Sequence, residues 1–317
     1  MNKTLVSICV QTYNHGSTIE RCILSLLDQQ CCFDFEILIH DDASTDNTQE
    51  IIQRYQEKHP EVIKPIFQKQ NRYSHGIRPN LTFNFPRAKG EFIALCEGDD
   101  YWFDRHKLTK QIEIMNLNTD VCMTFHRVYY EKEGRLCVEC EPETIKNVKT
   151  GFVRPSDLIK HGSDFCPTPS VVFRTNAYQQ IERYFINNKV PVVDLFLQIL
   201  FAHIGKVYIL EAQMAVYTVS APGSWTNSKI ANSNQTNISL IKCLINCRSF
   251  LIKNAFVPNT KILWLILRYF RKLSIGLQVG LLVSNITLLK LIFLAVVNRT
   301  SAAIRHVIKE EQANSNV

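Results

Sequence analysis

Glu97, Asp99 and Asp100 put three carboxylates within four residues, directly behind the apolar run 92–96. That run reads as a buried strand. Buried strands of an α/β sheet deliver their carboxyl ends to the crevice where ligands bind. Three unpaired acids in such a place repel one another and raise each other's pKa values. A divalent cation removes the conflict, because hard cations take carboxylate oxygens, and its usual further partner is a phosphate. A solvated acidic turn is the plainer alternative. Two more polar groups at strand ends weigh against it: Gln11-Thr12-Tyr13-Asn14 after the run 6–10, and Asp41-Asp42 after the run 35–39.

The elements that would carry these groups follow from hydrophobic periodicity. Residues 6–10, 35–39, 62–67, 92–96 and 121–125 are apolar runs of strand type, and Pro65 puts the third near a sheet edge. Between them lie helical stripes. Ile19, Cys22, Ile23, Leu26 and Leu27 follow a Ser17/Glu20 capping box, Ile51, Ile52 and Tyr55 follow a cap at Asp46 or Thr45, and Leu108, Ile112 and Met115 mark a third. This alternation predicts an α/β fold, a mixed and mainly parallel sheet with helices on both faces. In a parallel sheet the strands' carboxyl ends share one edge, so the three polar groups converge. From 131 to 163 the pattern loosens, as in an insertion or linker flank. Order returns with a strand at 169–173, helices through Tyr184 and over 194–202, and strands at 207–210 and 214–219. Residues 221–235, rich in Gly, Ser and Asn, read as a loop.

The composition is that of a globular chain: 317 residues, 46% hydrophobic and 21% charged. A net charge of +7 is modest and uneven, and gives no argument for nucleic acid. No signal peptide is expected, since the run 5–10 is too short and turns polar at once. Most of the cysteines, Cys9, Cys22, Cys96 and Cys122 among them, fall on apolar faces and read as reduced thiols. Cys137 and Cys140 have metal-type spacing without a second pair to complete a zinc site.

Two domains are expected, 1–235 and 236–317. The second is a helical extension, apolar and interspersed with Lys and Arg, and it points to an anionic membrane surface. Its run 275–297 has the length of a membrane span, but Gln278, Ser284, Asn285 and Thr287 dilute it. Peripheral attachment is the favoured reading, with helices packed on the first domain or on a second subunit as the alternative.

The N-terminal signatures resemble a known family. Val6-Ser7-Ile8-Cys9-Val10-Gln11-Thr12-Tyr13-Asn14 is similar to the opening strand of the family 2 inverting glycosyltransferases, which have the GT-A (Rossmann-like) fold. Asp41-Asp42-Ala43-Ser44-Thr45-Asp46-Asn47-Thr48 is similar to the family's second signature nearly letter for letter. Glu97-Gly98-Asp99-Asp100, with Tyr101-Trp102, Lys107-Leu108 and Gln111, resembles its metal-binding signature. The resemblance spans roughly residues 4–226, and three signatures in order are far more specific than one.

The resemblance implies a role for each matching residue. Gln11, Thr12, Tyr13 and Asp42 would hold the nucleotide base. Asp100 would bind Mg²⁺ or Mn²⁺, with Asp99 on the ribose or on the metal through water. Asn80 would stand near the donor. Asp194 would be the base that takes the acceptor's proton, with Asp164 in reserve. Trp225 would lie in a loop that closes over the sugar. The implied donor is a nucleoside diphosphate sugar, a UDP-sugar first of all. The implied acceptor is a saccharide or lipid-linked saccharide of a surface polysaccharide, met at the cytoplasmic face of the cell membrane.

Four departures from the family pattern stand out. Gln11 replaces a usual proline, Glu97 a usual aspartate, Thr218 a usual arginine and Ser220 a usual histidine. Asp194 also lies two residues later than the acid many relatives use. Isolated histidines such as His15 read as local hydrogen-bonding groups. The rival readings are a nucleotidyltransferase, for which a basic loop after the first strand is lacking, and a membrane-associated assembly protein with weak or no turnover.

Overall fold

The computed structural model describes residues 4–219, 233–254, 261–284 and 288. The chain divides into two compact units, Met1–Ala231 and Asn232–Val317.

The first unit opens as its periodicities require. Strand β1 (Val6–Thr12) is almost wholly buried, as a strand covered on both faces must be, and its β-branched residues suit it. Helix α1 (Ile19–Leu27) buries Ile19, Cys22, Ile23 and Leu26, one helical stripe. Strand β2 (Phe35–Asp41), helix α2 (Thr48–Lys58) and strand β3 (Ile63–Phe67) follow. Short turns over 73–87, one of them the π-turn Asn80–Asn84, lead to β4 (Phe92–Glu97), β5 (Tyr101–Trp102) and α3 (Lys107–Leu117). Gly90 ends this run of turns where β1 passes close by. A Cβ there would meet Ser7 N at 2.5 Å and the Val6 carbonyl carbon at 2.7 Å, so only glycine fits.

The stretch that loosens in sequence is ordered in the fold. Strand β6 (Val121–Lys132) runs well past the expected 121–125 and turns back through β7 (Arg135–Leu136). Then come α4 (Glu143–Lys146), β8 (Gly151–Val153), α5 (Pro155–His161), β9 (Val172–Arg174), α6 (Thr175–Asn187) and α7 (Val193–Ile204). The two strands expected at 207–210 and 214–219 are one, β10 (Lys206–Val219), with register shifts between Leu210 and Ala215.

The sheet order is β3-β2-β1-β4-β9-β6-β10-β5, with β7 on β6 and β8 on β10. The long pairings, β1 with β2 and β4, β2 with β3, and β6 with β10, are parallel. Short β9 runs antiparallel between β4 and β6, so β1, β2, β4, β6 and β10 all point the same way. Helices flank this mixed, mostly parallel sheet. The second unit holds α8 (Asn234–Lys253), capped by Ser233, which accepts the Thr236 N–H at 3.1 Å, then α9 (Lys261–Phe270) and α10 (Ile275–Ser284). No helix among the described residues is long and apolar enough to cross a membrane, and 289–297 of the apolar run lie outside them.

Two local expectations need correction. Ser17 and Glu20 form no capping box. Thr18 is the N-cap without a side-chain bond, and the Glu20 carboxylate is taken by Arg54 at 2.7 Å and the Tyr55 hydroxyl at 2.8 Å. Those partners lie on α2, which local spacing does not reveal. Cys137 and Cys140 are joined as a disulfide across a 3-10 turn rather than left as thiols. Nine cysteines among the described residues are free, and most of these are buried.

Candidate active site

Three parallel strand ends build one cavity. Asn14 takes a left-handed conformation (φ 55°), which asparagine tolerates, and turns β1 toward the end of β2. Its backbone N–H donates to Ser44 Oγ at 2.8 Å, and its side-chain oxygen accepts the Thr45 N–H at 2.8 Å. Asp41 closes the same turn by accepting from the Ser44 backbone and hydroxyl and from Gln49 Nε2. Asp42 is thereby left facing inward. It accepts the Arg72 N–H at 2.7 Å and the Tyr73 N–H at 2.9 Å, and so anchors the loop that walls the cavity.

The acidic turn is held as tightly. Gly98 passes so near β1 that a Cβ would meet Thr12 Oγ1 at 2.5 Å and His15 Nδ1 at 2.8 Å. Its N–H donates to Gln11 O at 3.0 Å, and its carbonyl accepts from Thr18 Oγ1 at 3.0 Å. The Thr218 backbone N–H donates to Asp100 Oδ1 at 2.8 Å, while its hydroxyl donates to the Asp99 carbonyl at 2.6 Å. The residue that replaces the family's usual arginine therefore ties the last long strand to the acidic turn. The remaining signature residues are structural supports. Trp102 is buried with the Lys107 ammonium 3.8 Å above its ring, and Gln111 donates to Thr124 Oγ1 and Ser170 O. Burial alone pushes the Lys107 pKa down to about 7.

Glu97, Asp99 and Asp100 offer carboxylate oxygens that all lie within 4.8 Å of one another. At an effective dielectric near 20, each ionised pair at that range repels by roughly 3 kcal/mol. Burial and this mutual repulsion push Glu97 up to about 8 and hold Asp100 well above the usual carboxylate range. Asp99 is raised by burial, against the pull of His15, whose Nε2 is 4.0 Å away. Asp99 Oδ1 and Asp100 Oδ2 are buried with no hydrogen-bond partner. A buried carboxylate oxygen lacking a donor is costly unless a cation meets it. Crowded hard-oxygen donors with unsatisfied lone pairs fit a divalent ion such as Mg²⁺ or Mn²⁺.

The cavity has a volume of about 240 Å³. Gln11, Thr12, Tyr13, Asp42, Asn80, Asp99 and Asp194 all line it, so the fold gathers residues spread over 184 positions of the chain. Asp100 sits just behind, 1% exposed. Gln11 donates to Glu97 Oε1 at 2.6 Å, a side-chain contact that a proline there could not make. Asn80 accepts from Asn84 Nδ2 at 2.9 Å through its oxygen, which aims its amide nitrogen elsewhere. Asp194 lies in the first turn of α7, accepts from Thr168 Oγ1 at 3.3 Å and is raised by burial. Trp225 and Ser220 lie outside the described residues, as does the side chain of Asp164. Among the lining residues that no signature includes are His15, Tyr73, Arg78 and Thr168. His15 directly follows the first signature, and nothing local marks the others.

Residues 7–182 match the sequence profile described as Glycosyl transferase family 2. The chain belongs to this family. An uncharacterized protein of Mycobacterium tuberculosis is 33% identical over 223 residues, 69% of this chain and 60% of that protein. The chain thus spans about 60% of the length of such relatives. The glucosyltransferase WfaP of Escherichia coli, named for transfer from UDP-Glc to α-D-GlcNAc-diphosphoundecaprenol, is 34% identical over 129 residues, 41% of this chain and 48% of that protein. Among solved structures, S. aureus TarS 1-349 in complex with UDP-GlcNAc shares the fold. Its TM-score is 0.59 at 17% identity, over 77% of this chain and 66% of that one. The chain therefore has the GT-A arrangement.

Proposed function

We propose that this glycosyltransferase moves a sugar, with inversion, from a nucleoside diphosphate donor, a UDP-sugar first of all, to an acceptor hydroxyl in a cation-dependent reaction. The observation that carries this reading is the meeting in one cavity of the Glu97 and Asp99 carboxylates, with that of Asp100 beside them, the strand-end residues Gln11 to Tyr13 with Asp42, and Asp194. Asp99 and Asp100 would hold the cation, which when bound neutralises charge on the departing diphosphate. Asp42 has one N–H on each carboxylate oxygen and lone pairs to spare for a base N–H. Tyr13, 36% exposed, offers a ring face to the same base. Asn80 would donate its amide to the ribose or sugar. Asp194 would accept the proton of the attacking hydroxyl, with Thr168 orienting it.

The similarity to WfaP supports a lipid-linked saccharide as acceptor, in assembly of a cell-surface polysaccharide. Residues 236–317 carry eleven Lys and Arg against two Glu. That balance supports peripheral attachment at the anionic inner face of the cell membrane.

Calorimetric titration of UDP in MnCl₂ tests the central claim. Asp100→Asn is expected to weaken cation-dependent UDP binding more than about tenfold while keeping a cooperative melt. A folded Asp100→Asn that binds UDP and responds to Mn²⁺ as the wild type does would remove the proposal.

A further inference from the structure

We propose that Arg78 is a positioning residue that ties the segment bearing the general base to the loop that holds the nucleotide, so that filling the nucleotide site fixes Asp194. The proposal rests on the reading above of Asp42 as nucleotide-holding and Asp194 as base.

The connection runs through contacts that follow one another in space. Asp42 takes the backbone N–H groups of Arg72 and Tyr73, so a nucleotide bound at its carboxylate acts on a group that already clamps this loop. The Tyr73 ring lies beneath the Arg78 guanidinium, whose central carbon is 4.6 Å from the ring centroid. Tyr73 lines the cavity together with Glu97 and Asp194, and burial pushes its phenol up to about 12 against the pull of the Arg78 guanidinium. Arg78 then donates from Nε to Val190 O at 3.0 Å and from Nη2 to Pro191 O at 3.4 Å. These carbonyls precede Asp194 by four and three residues, in the turn between α6 and α7. Two bonds beside these are local, Val190 N–H to Asn188 O and Asn188 Nδ2 to Tyr184 O. Arg78 reaches it from 112 residues away.

The geometry separates this role from that of a phosphate ligand. Two of the guanidinium's nitrogens are committed to backbone carbonyls, and its face is committed to an aromatic ring. A fixed planar fork meets those demands together, while an ammonium on a flexible stem meets at most one. Position, more than charge, is what the side chain supplies.

Hydrogen–deuterium exchange over residues 188–196 of the full chain reads the link without any acceptor. UDP with MnCl₂ is the probe, with GDP in a parallel arm. In the wild type, nucleotide is expected to slow exchange there by about fivefold or more, the lower end of ordinary coupling between sites. Arg78→Met and Arg78→Lys are both expected to hold nucleotide affinity within about twofold and to lose the slowing. Should Arg78→Met fail to fold, Tyr73→Leu, which removes the ring under the guanidinium, is expected to show the same loss. Retained slowing in the variants overturns the proposal. So does a fall in nucleotide affinity that matches the loss, since Arg78 would then be a nucleotide ligand. Failure of the wild type to bind either nucleotide is a different result, and it removes the donor-site reading on which the proposal stands.

Discussion

An aspartate in the first turn of a helix normally has its anion stabilised by the helix dipole. Asp194 occupies that place in α7, yet burial against the cavity wall raises its pKa and Thr168 only partly offsets this. A base with such a pKa is a better proton acceptor, provided the pH keeps it ionised. The sign follows. Turnover is lost as pH falls through the raised value, so the acid limb of kcat/KM should lie above the ordinary aspartate value of about 4. Asp194→Asn should lower donor turnover by about 10²–10⁴-fold, abolish that limb and leave UDP affinity within about twofold. Stability gives an independent check. A raised native pKa means Asp194 contributes stability at acid pH that is lost as pH rises through the folded value. At pH 8 the asparagine variant should therefore melt no lower than the wild type. A lower Tm together with weaker UDP binding would show a structural role instead.

At the scale of elements, the site depends on close passage of the acidic turn and the β4 approach over β1. Gly90 and Gly98 mark the two crossings, and they differ in what stands opposite. A Cβ at Gly90 meets only backbone, at 2.5–2.8 Å, whereas one at Gly98 meets the side chains of Thr12 and His15. Backbone in a central strand cannot yield, whereas at Gly98 the Thr12 hydroxyl and the His15 ring can turn and only Thr12 Cβ, at 2.8 Å, is fixed. Gly90→Ala should thus cost more than about 3 kcal/mol by urea melt, and Gly98→Ala about 1–2 kcal/mol. The second should weaken Mn²⁺-dependent UDP binding out of proportion to its stability loss, because Asp99 and Asp100 follow directly. Equal costs for the two would show that the crossings are not what they are taken to be. What sequence reading could see here had a physical basis. The strands are short contiguous apolar runs and the helices stripes at helical spacing, and the signatures are contiguous. The long β6–β10 pairing and the ordered 131–163 stretch were not legible, because β6 meets β10 across 84 or more positions and β8 meets it across 54 to 58. Tyr73, Arg78 and Thr168 escaped for the same reason. Each enters the cavity through a contact with a distant segment, Arg78 with Pro191 and Thr168 with Asp194. Spacing showed the Cys137/Cys140 pair but not its oxidation state.

For the molecule as a whole, the charge balance between its units bears on where it works. Seven of the eleven bases, Lys242 to Lys272, lie on or next to α8 and α9, where apolar residues are buried, Leu240, Ile241, Leu244 and Leu251 on α8 for example. Those residues are already used in packing, so attachment would rest chiefly on Lys and Arg near lipid headgroups, each worth about 1 kcal/mol close to an anionic surface. Exposed Ile252, Ile275 and Leu277 add a smaller apolar share. Electrostatic attachment of this kind has a clear signature, because the screening length falls from about 8 Å at 0.15 M salt to about 3 Å at 1 M. The full chain should float with vesicles containing phosphatidylglycerol, not with phosphatidylcholine alone, and should be released by 1 M NaCl. A chain ending at Ala231 should stay behind. Equal flotation of both chains would move the membrane contact to the first unit, and salt-resistant flotation would mean that apolar insertion, not charge, makes the attachment.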